Sequence, residues 1–361
     1  MQPGMRTCCG IGIVVCLGLI APATAMRAAE FKDAVKALQE KNYPRIVEIL
    51  DPYLAEHPRD ARALALRGRA YVELFAADKA LADLNRAIEI QPLKTGGDFL
   101  SRGRAHLLLH HYDEALADLN VAVEHNPNDA ERYYFRGQAY SQQEKHEAAF
   151  PEFHKAIELD PQHFRAYAAR GFTQWRKGTK YQATSYQQGA HTYVLMRFES
   201  VVDRDLVDQG LADFARAIEL APDDPRAYQQ RSQCNYELKD WPKYAADRNQ
   251  LVRLLPNDAR LLNETAWFLA TIDYDAVRDG KRALELAEKA CELTKHEDFA
   301  SLDTMAAALA ETRKFKRAAE VQDQAIARAK DLPEQVMKML RERREQYRRK
   351  QPLRLTDPRS I

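Results

Sequence analysis

The chain has 361 residues, 54 of them Lys or Arg and 53 Asp or Glu, for a formal net charge of +1 with histidine neutral. Such balance excludes a global electrostatic pull toward nucleic acid or any other acidic surface. At 45% hydrophobic and 30% charged residues, with only 14 glycines, the composition is ordinary for a soluble helical protein.

Residues 1–25 stand apart from the rest. Arg6 supplies a positive n-region, residues 11–21 an apolar stretch, and Ala23-Thr24-Ala25 a small-residue cleavage site. This pattern predicts a secretory signal peptide cut before Met26, and hence export to a periplasm or cell envelope; an uncleaved signal anchor in the inner membrane is the alternative. A lipoprotein signal fits less well, because Val14-Val15 rather than a small residue precedes Cys16. Cleavage would leave 53 basic and 53 acidic residues, and of the five cysteines only Cys234 and Cys291. Export would permit a disulfide. The spacing leaves their pairing open, and two packed thiols on helices need fewer assumptions.

After residue 26 one pattern recurs at roughly 34-residue intervals, the period of a two-helix repeat. It is degenerate in residues 27–58, where Ala34, Leu50, Tyr53 and Pro58 hold their places without a glycine. It is clear in residues 61–92, where Gly68, Ala80 and Pro92 take the eighth, twentieth and thirty-second positions. Residues 96–127 repeat it with Gly103, Ala115, Leu119, Ala122 and Pro127, and residues 130–161 with Gly137, Tyr140, Ala149, Phe153, Ala156 and Pro161. Gly and Ala let two helices cross closely, the larger residues fill the space between pairs, and Pro ends the second helix. Asn128-Asp129 and Asp223-Asp224 offer side-chain oxygens at the next helix start.

A fifth unit, 164–222, is interrupted by an insertion over 179–209, which holds Tyr181, Tyr186, Tyr193 and Phe198. Val194, Phe198, Val201 and Leu206 recur at helical spacing, so its second half is expected to extend the following helix, with Gly189 at a turn. Residues 225–256 form a sixth unit with Ser232 in place of glycine, 259–294 a seventh with a short insertion near 273–279, and 299–330 an eighth. Residues 331–361 read as a capping helix and a frayed tail: Met337, Leu340 and Tyr347 would face inward, and Arg341, Arg344, Arg348 and Arg349 outward.

At these residues the chain resembles the tetratricopeptide-repeat (TPR) family over nearly all of residues 26–330, and residues 266–304 look like a C-terminal block common in bacterial TPR proteins. The resemblance implies an all-α TPR solenoid, a right-handed superhelix of about eight helix pairs closed by a C-terminal capping helix.

Two sets of residues follow. Arg67, Arg102, Arg136, Arg170 and Arg231 precede the eighth position of five units, and Asp83, Asp118, Glu152, Asp213 and Asp247 recur on the second helices. A ladder of arginine–carboxylate pairs between helices is the expected role, since a planar guanidinium fork matches a carboxylate; an anion-binding ladder is the alternative. The resemblance also implies a concave groove lined by the second, fifth, ninth, twelfth and thirteenth positions of each first helix. By position these include Arg62, Arg69, Arg104, Glu131, Tyr134, Gln138, Arg165, Phe172, Trp175, Arg176, Arg226 and Gln229. Tyr134, Phe172 and Trp175 would anchor a peptide or helix, and Arg69, Arg104 and Arg165 would read acidic side chains. Ala65 and Leu100 stand where the carboxylate clamp of chaperone-binding TPR domains needs Lys or Arg, so that activity is not implied.

No phosphate-binding glycine loop or nucleophile elbow is present. His106 and His110 are four apart, but Leu107-Leu108-Leu109 lie between them, without the glutamate of a zinc-protease helix. The reading is a non-enzymatic interaction scaffold without cofactor or metal. It would bind a protein or peptide and no nucleic acid, and touch a membrane only if residues 1–25 stay attached. Alternatives are a carbohydrate- or cell-wall-binding module, or an accessory subunit of an envelope enzyme complex.

Overall fold

The computed structural model describes residues 23–91, 96–188 and 191–357. Among them are seventeen α-helices and one two-stranded sheet. No described helix is long and apolar enough to cross a membrane. The chain divides into two compact units, one ending at Pro127 and the other beginning at Asn128.

The first unit contains α1 (Ala23–Gln39), α2 (Tyr43–Glu56), α3 (Ala61–Glu73), α4 (Ala77–Ile90), α5 (Gly96–Leu108) and α6 (Tyr112–His125), packed as three antiparallel pairs. Pro92 and most of residues 1–25 lie outside the described residues. The second unit opens with α7 (Ala130–Gln142), α8 (His146–Leu159) and α9 (Phe164–Lys177). The strands β1 (Thr179–Gln188) and β2 (His191–Val201) come next, then α10 (Arg204–Leu220), α11 (Pro225–Glu237) and α12 (Trp241–Leu254). The last pairs are α13 (Ala259–Thr271) with α14 (Gly280–Leu293) and α15 (Phe299–Glu311) with α16 (Phe315–Arg328), followed by α17 (Glu334–Arg348). The fold is thus an all-α solenoid of helix pairs carrying one hairpin.

The start of five of the described pairs is encoded by an aspartate, and α9 starts at His163 instead. Asp60, Asp129, Asp224, Asp258 and Asp298 cap α3, α7, α11, α13 and α15, each accepting from a backbone N–H of the first turn. The turn inside each pair is encoded by one left-handed residue. Lys41, Phe75, His110, Glu144, Lys239 and Arg313 all have φ between 55° and 64°. Each sits at the fifteenth position of its unit. There the chain reverses as Ala76 N–H reaches back to Tyr71 O at 2.9 Å, which satisfies an orphan carbonyl of the helix end. Two units lack this device. Gly178 has φ −76° and is followed by the hairpin, and Asp273 is not left-handed and is followed by the short insertion.

The hairpin corrects the expectation that the second half of 179–209 is helical. Val194, Phe198 and Val201 lie on β2, and only Leu206 belongs to α10, whose cap is Asp203. The helical spacing of four apolar residues was coincidental. The segment is rich in Thr, Tyr, Val and Phe, which fit a pleated surface, and an antiparallel partner of matching length is adjacent in sequence. Thr179 pairs with Val201 and Gln188 with His191; the register shifts at Lys180/Tyr181. Gly189 lies outside the described residues. Val202 and Asp203 N–H both return to Gly178 O, at 2.9 and 3.1 Å, so the chain leaves and re-enters the helix pair at one point.

The tail also departs from expectation. Met337, Leu340 and Tyr347 are buried, and Arg341, Arg348 and Arg349 are exposed, but Arg344 is partly covered and pairs with Asp323 at 2.7 Å. Residues 353–357 are not frayed: Leu353 and Leu355 pack against the C-terminal core cluster, and Leu355 forms a parallel bridge with Ile272.

Among the described residues α9 and α10 approach each other backbone against backbone. A Cβ on Gly171 would lie 2.8 Å from Gly210 O, and one on Gly210 would lie 2.7 Å from Gly171 O. Both obstacles are backbone, which cannot swing aside as a side chain can. Gly171→Ala is therefore expected to destabilise the protein by about 1–3 kcal/mol through overpacking. Urea unfolding followed by circular dichroism measures this, and an unchanged midpoint would show that the pair can spread without cost.

Candidate functional site

The arginine ladder is present as geometry. Arg67 donates from Nε and Nη2 to both oxygens of Asp83 at 2.7 and 2.8 Å, and Arg102 grips Asp118 at 2.7 and 2.6 Å. Arg136 and Glu152 make the same fork at 2.9 Å on each arm, and Arg170 and Asp213 at 2.7 and 2.8 Å. Arg231 reaches Asp247 with its shortest contact at 2.6 Å. A third arm ties several of these arginines to the preceding pair: Arg67 to Asp51, Arg102 to Asn85 and Arg170 to His154. Asp83, Asp118, Asp213 and Asp247 are buried. Bonding to Asp83 and Asp213 raises the pKa of Arg67 and Arg170 above the usual guanidinium range. With both carboxylate oxygens engaged, these guanidinia have their best partner already.

The residues assigned to a groove are dispersed by the structure. Arg62 and Arg69 are exposed in the first unit, Arg62 lying over the Phe31 ring at 5.4 Å. Arg104, in the same unit, is bound to Glu73 at 2.6 Å. In the second unit Tyr134, Gln138, Arg165, Arg226 and Gln229 line one small cleft of about 220 Å³. Arg165 pairs with Glu131 and stacks on Tyr134, and Arg226 pairs with Asp224. Arg176 lies over the Tyr181 ring at 4.6 Å and bonds Glu144 at 3.2 Å.

Two of the expected apolar anchors are not available. Trp175 is fully buried, packed between half-buried Phe172, Val207, Phe214 and Tyr181 at the hairpin base. Tyr134 is only 6% exposed, held against Phe135 and His163. Position in the repeat predicted an outward face, but the hairpin and the adjoining helix cover it. The arginines are largely neutralised by neighbouring acids, so the acid-reading role expected of them has little charge behind it.

An aromatic-walled concavity lies further along. A pocket of about 640 Å³ opens on α11, α13 and α15, the first helices of three successive pairs, and α17 closes one side. Trp267, Phe299, Val336 and Met339 form apolar walls, with Tyr236, Tyr244 and Phe268 behind them. Gln229, Gln233 and Asn263 supply amides. Among the described residues the buried Asn263 Oδ1 has no hydrogen-bond partner. The charged residues cancel in pairs. Arg343 bonds Asp303 and lies 4.6 Å over the Trp267 ring, and Arg248 meets Glu264 at 3.1 Å. Burial pushes the Asp303 carboxyl above the usual range, while Arg343 and the Gln322 amide, 2.7 Å away, pull it down. A larger hollow of about 750 Å³ against α8, α9 and α10 includes the Arg170–Asp213 pair and a charged rim, but its aromatic rings are only Phe150 and His154.

Gln233, Tyr236, Asn263, Trp267 and Asp303 were missed in the sequence. They hold the fifth, ninth and twelfth positions of the sixth to eighth units, so the same positional rule, carried through the sixth unit and two units further, finds them. Arg343 gave one signal only, a cation on a helix otherwise expected to face outward.

Among the described residues Cys234 and Cys291 are free and buried, and burial pushes each thiol up to about 12. Both are packed thiols at neutral pH.

Two family models match the sequence, one described as TPR repeat over residues 137–178 and one as tetratricopeptide repeat over residues 61–92. No curated protein matches it. Among solved structures the chain is similar to MamA from Desulfovibrio magneticus RS-1, with 20% identity over 54% of this chain and 93% of that one, at a TM-score of 0.40. It is similar to TTC0263, a thermophilic TPR protein of Thermus thermophilus, with 18% identity over 57% and 97% and a TM-score of 0.43. With the APC/C hetero-tetramer Cut9–Hcn1 it shares 14% identity over 76% and 48%, at a TM-score of 0.53, a likeness that bears on the fold alone.

Arg136→Ala would leave the half-buried Glu152, whose carboxyl burial already pushes up, without its fork. The expected cost is about 1–3 kcal/mol, as for other hydrogen bonds to charged groups. Thermal melting reads it, and a melting temperature equal to that of the parent would remove the ladder from the account of stability.

Proposed function

Because the chain belongs to the tetratricopeptide-repeat family, whose repeats build protein–protein interaction scaffolds, we propose that it is a non-enzymatic scaffold that holds an extended peptide in the pocket over α11, α13 and α15. The observation that carries this reading is the unpartnered Asn263 Oδ1 at an aromatic-walled pocket. A buried acceptor without a donor costs free energy, and a peptide N–H supplies the donor. Gln229 and Gln233 can each donate and accept, which suits a peptide backbone of any sequence. Trp267, Phe299, Val336 and Met339 then take one apolar or aromatic side chain of the ligand. Since Arg343–Asp303 and Arg248–Glu264 are internally balanced, an acidic ligand side chain gains little there.

Selection of peptides from a random 12-residue library on residues 26–361, with affinities by fluorescence anisotropy, tests this. Gln233 is exposed, so Gln233→Arg fills the pocket mouth without disturbing the core. Affinity is expected to fall at least tenfold with the melting temperature unchanged. Loss of binding in Arg69→Glu/Arg104→Glu instead would move the site to the first unit and sink this assignment.

Export belongs to the same proposal and rests on the residue pattern of 1–25. N-terminal sequencing of the protein recovered from its source cell should begin at Met26. An intact residue 1 would favour the anchored form.

A further inference from the structure

The chain beyond α17 runs across the ends of the three helices that line the pocket. Arg354 Nη1 meets Glu311 Oε2, on the last residue of α15, at 2.6 Å. Leu355 N–H donates to Thr271 O, on the last residue of α13, at 2.8 Å, and Leu355 O accepts from Asp273 N–H at 3.0 Å. Tyr236 OH, near the end of α11, donates to the Asp357 carboxylate. The order of contact is α15, α13, α11, opposite to the order of the helices in the chain. Tyr236, Thr271 and Glu311 hold the twelfth or thirteenth positions of their units, the positions that the family resemblance assigned to the groove.

The receiving edge is built independently of the tail. Ile272 leaves α13 in extended conformation, with φ −56° and ψ 130°. Arg278 fixes it, donating to Ile272 O and to Glu311 Oε1, both at 3.1 Å, and Asp279 N–H bonds Leu269 O at 3.1 Å. Gly280 makes room for the acid, since a Cβ there would lie 2.5 Å from Glu311 Cγ. The edge therefore presents a carbonyl, an N–H, a carboxylate and a phenol in a fixed row. Against this, the tail offers partly buried leucines at 353 and 355, two main-chain bonds, the Arg354 guanidinium and the Asp357 carboxylate.

We infer that residues 352–357 are a displaceable ligand in cis, occupying an acceptor edge for an extended segment of a partner protein with the pattern aliphatic–basic–aliphatic–any–acidic, as in Leu353-Arg354-Leu355-Thr356-Asp357. The inference rests on the proposed peptide-binding reading and extends it to a second subsite that shares Tyr236 with the pocket. The Thr271 carbonyl and Asp273 N–H read the backbone, Glu311 selects the base, and the Tyr236 hydroxyl selects the acid. A tethered segment competes at an effective concentration on the order of millimolar, so a partner must match the pattern well or be abundant to displace it.

The test titrates a fluorescein-labelled peptide Gln-Pro-Leu-Arg-Leu-Thr-Asp into the full chain and into its R354E/L355P variant. The proline removes the N–H that bonds Thr271, and the glutamate opposes Glu311. The variant is expected to bind at least tenfold more tightly than the parent, and a peptide with proline in place of its second leucine should not bind. Equal affinity for both proteins, or no binding to a variant that keeps the parental helicity, overturns the inference. A measurement on the unaltered chain guards against a misfolded variant: millimolar peptide should accelerate hydrogen exchange at the Leu355 amide while the Asp273 amide stays protected, and an unmoved Leu355 rate overturns it. Concentration-dependent dimerisation of the parent in light scattering, abolished in the variant, would mean exchange of tails between copies and also overturns it. Binding of library peptides to Gln233→Arg reports on the pocket, and the comparison of the parent with R354E/L355P reports on the edge, so failure here and failure of the pocket reading are separable.

Discussion

The two-armed bond between a guanidinium on the first helix of a pair and a carboxylate on the second is the interaction on which the rest of this architecture depends. Its geometry is planar and bidentate, so it sets the register between the two helices as well as their separation. Its carboxylates are mostly buried, and a buried charge that loses its partner is far costlier than one never buried. Where the third arm reaches back, as from Arg67 to Asp51 and from Arg102 to Asn85, the same residue also ties one pair to the one before it. The fork survives the hairpin: Arg170 and Asp213 are 43 residues apart in sequence, yet they meet at the distances found where the interval is 16. Insertions are tolerated when the pair can close over them.

The turn inside each pair decides where insertions enter. A left-handed residue at the fifteenth position reverses the chain within a few residues and leaves no room for anything else. Gly178 and Asp273 do not adopt that conformation, and the chain there does something different. One departure becomes a hairpin whose base seals Trp175, and the other leaves an extended edge at Ile272 that the tail bridges. Irregular segments held by a rigid scaffold are where recognition is commonly placed, and the Ile272 edge has the scaffold's own Arg278 to hold it.

Charge explains why the proposed binding surface lies apart from most of the arginines. Guanidinia are numerous on the first helices, but nearly all described ones there find acids within the fold. What is left for the proposed ligand is a neutral pocket with aromatic walls and amides, beside an edge carrying one carboxylate and one phenol. That combination would read backbone and shape first and charge second.

The helix pairs, the capping aspartates Asp129 and Asp224 and the sixteen-residue interval of the ladder were legible in the sequence because each depends on contacts local to one repeat. A residue's place in the unit determines which helix it rides and which way it points. The burial of Trp175, the strand character of residues 179–201 and the docking of residues 353–357 were decided by the tertiary structure alone. Each depends on a segment meeting another that is remote in sequence or on a pairing that competes with a helical pattern, and a repeat rule is blind to what later folds over the face it predicts. For the site, the positional rule that named Tyr134 and Trp175 also covers Asn263 and Trp267; only the packing of the hairpin over one stretch, and of the capping helix beside another, determined which of these positions were closed and which became a pocket.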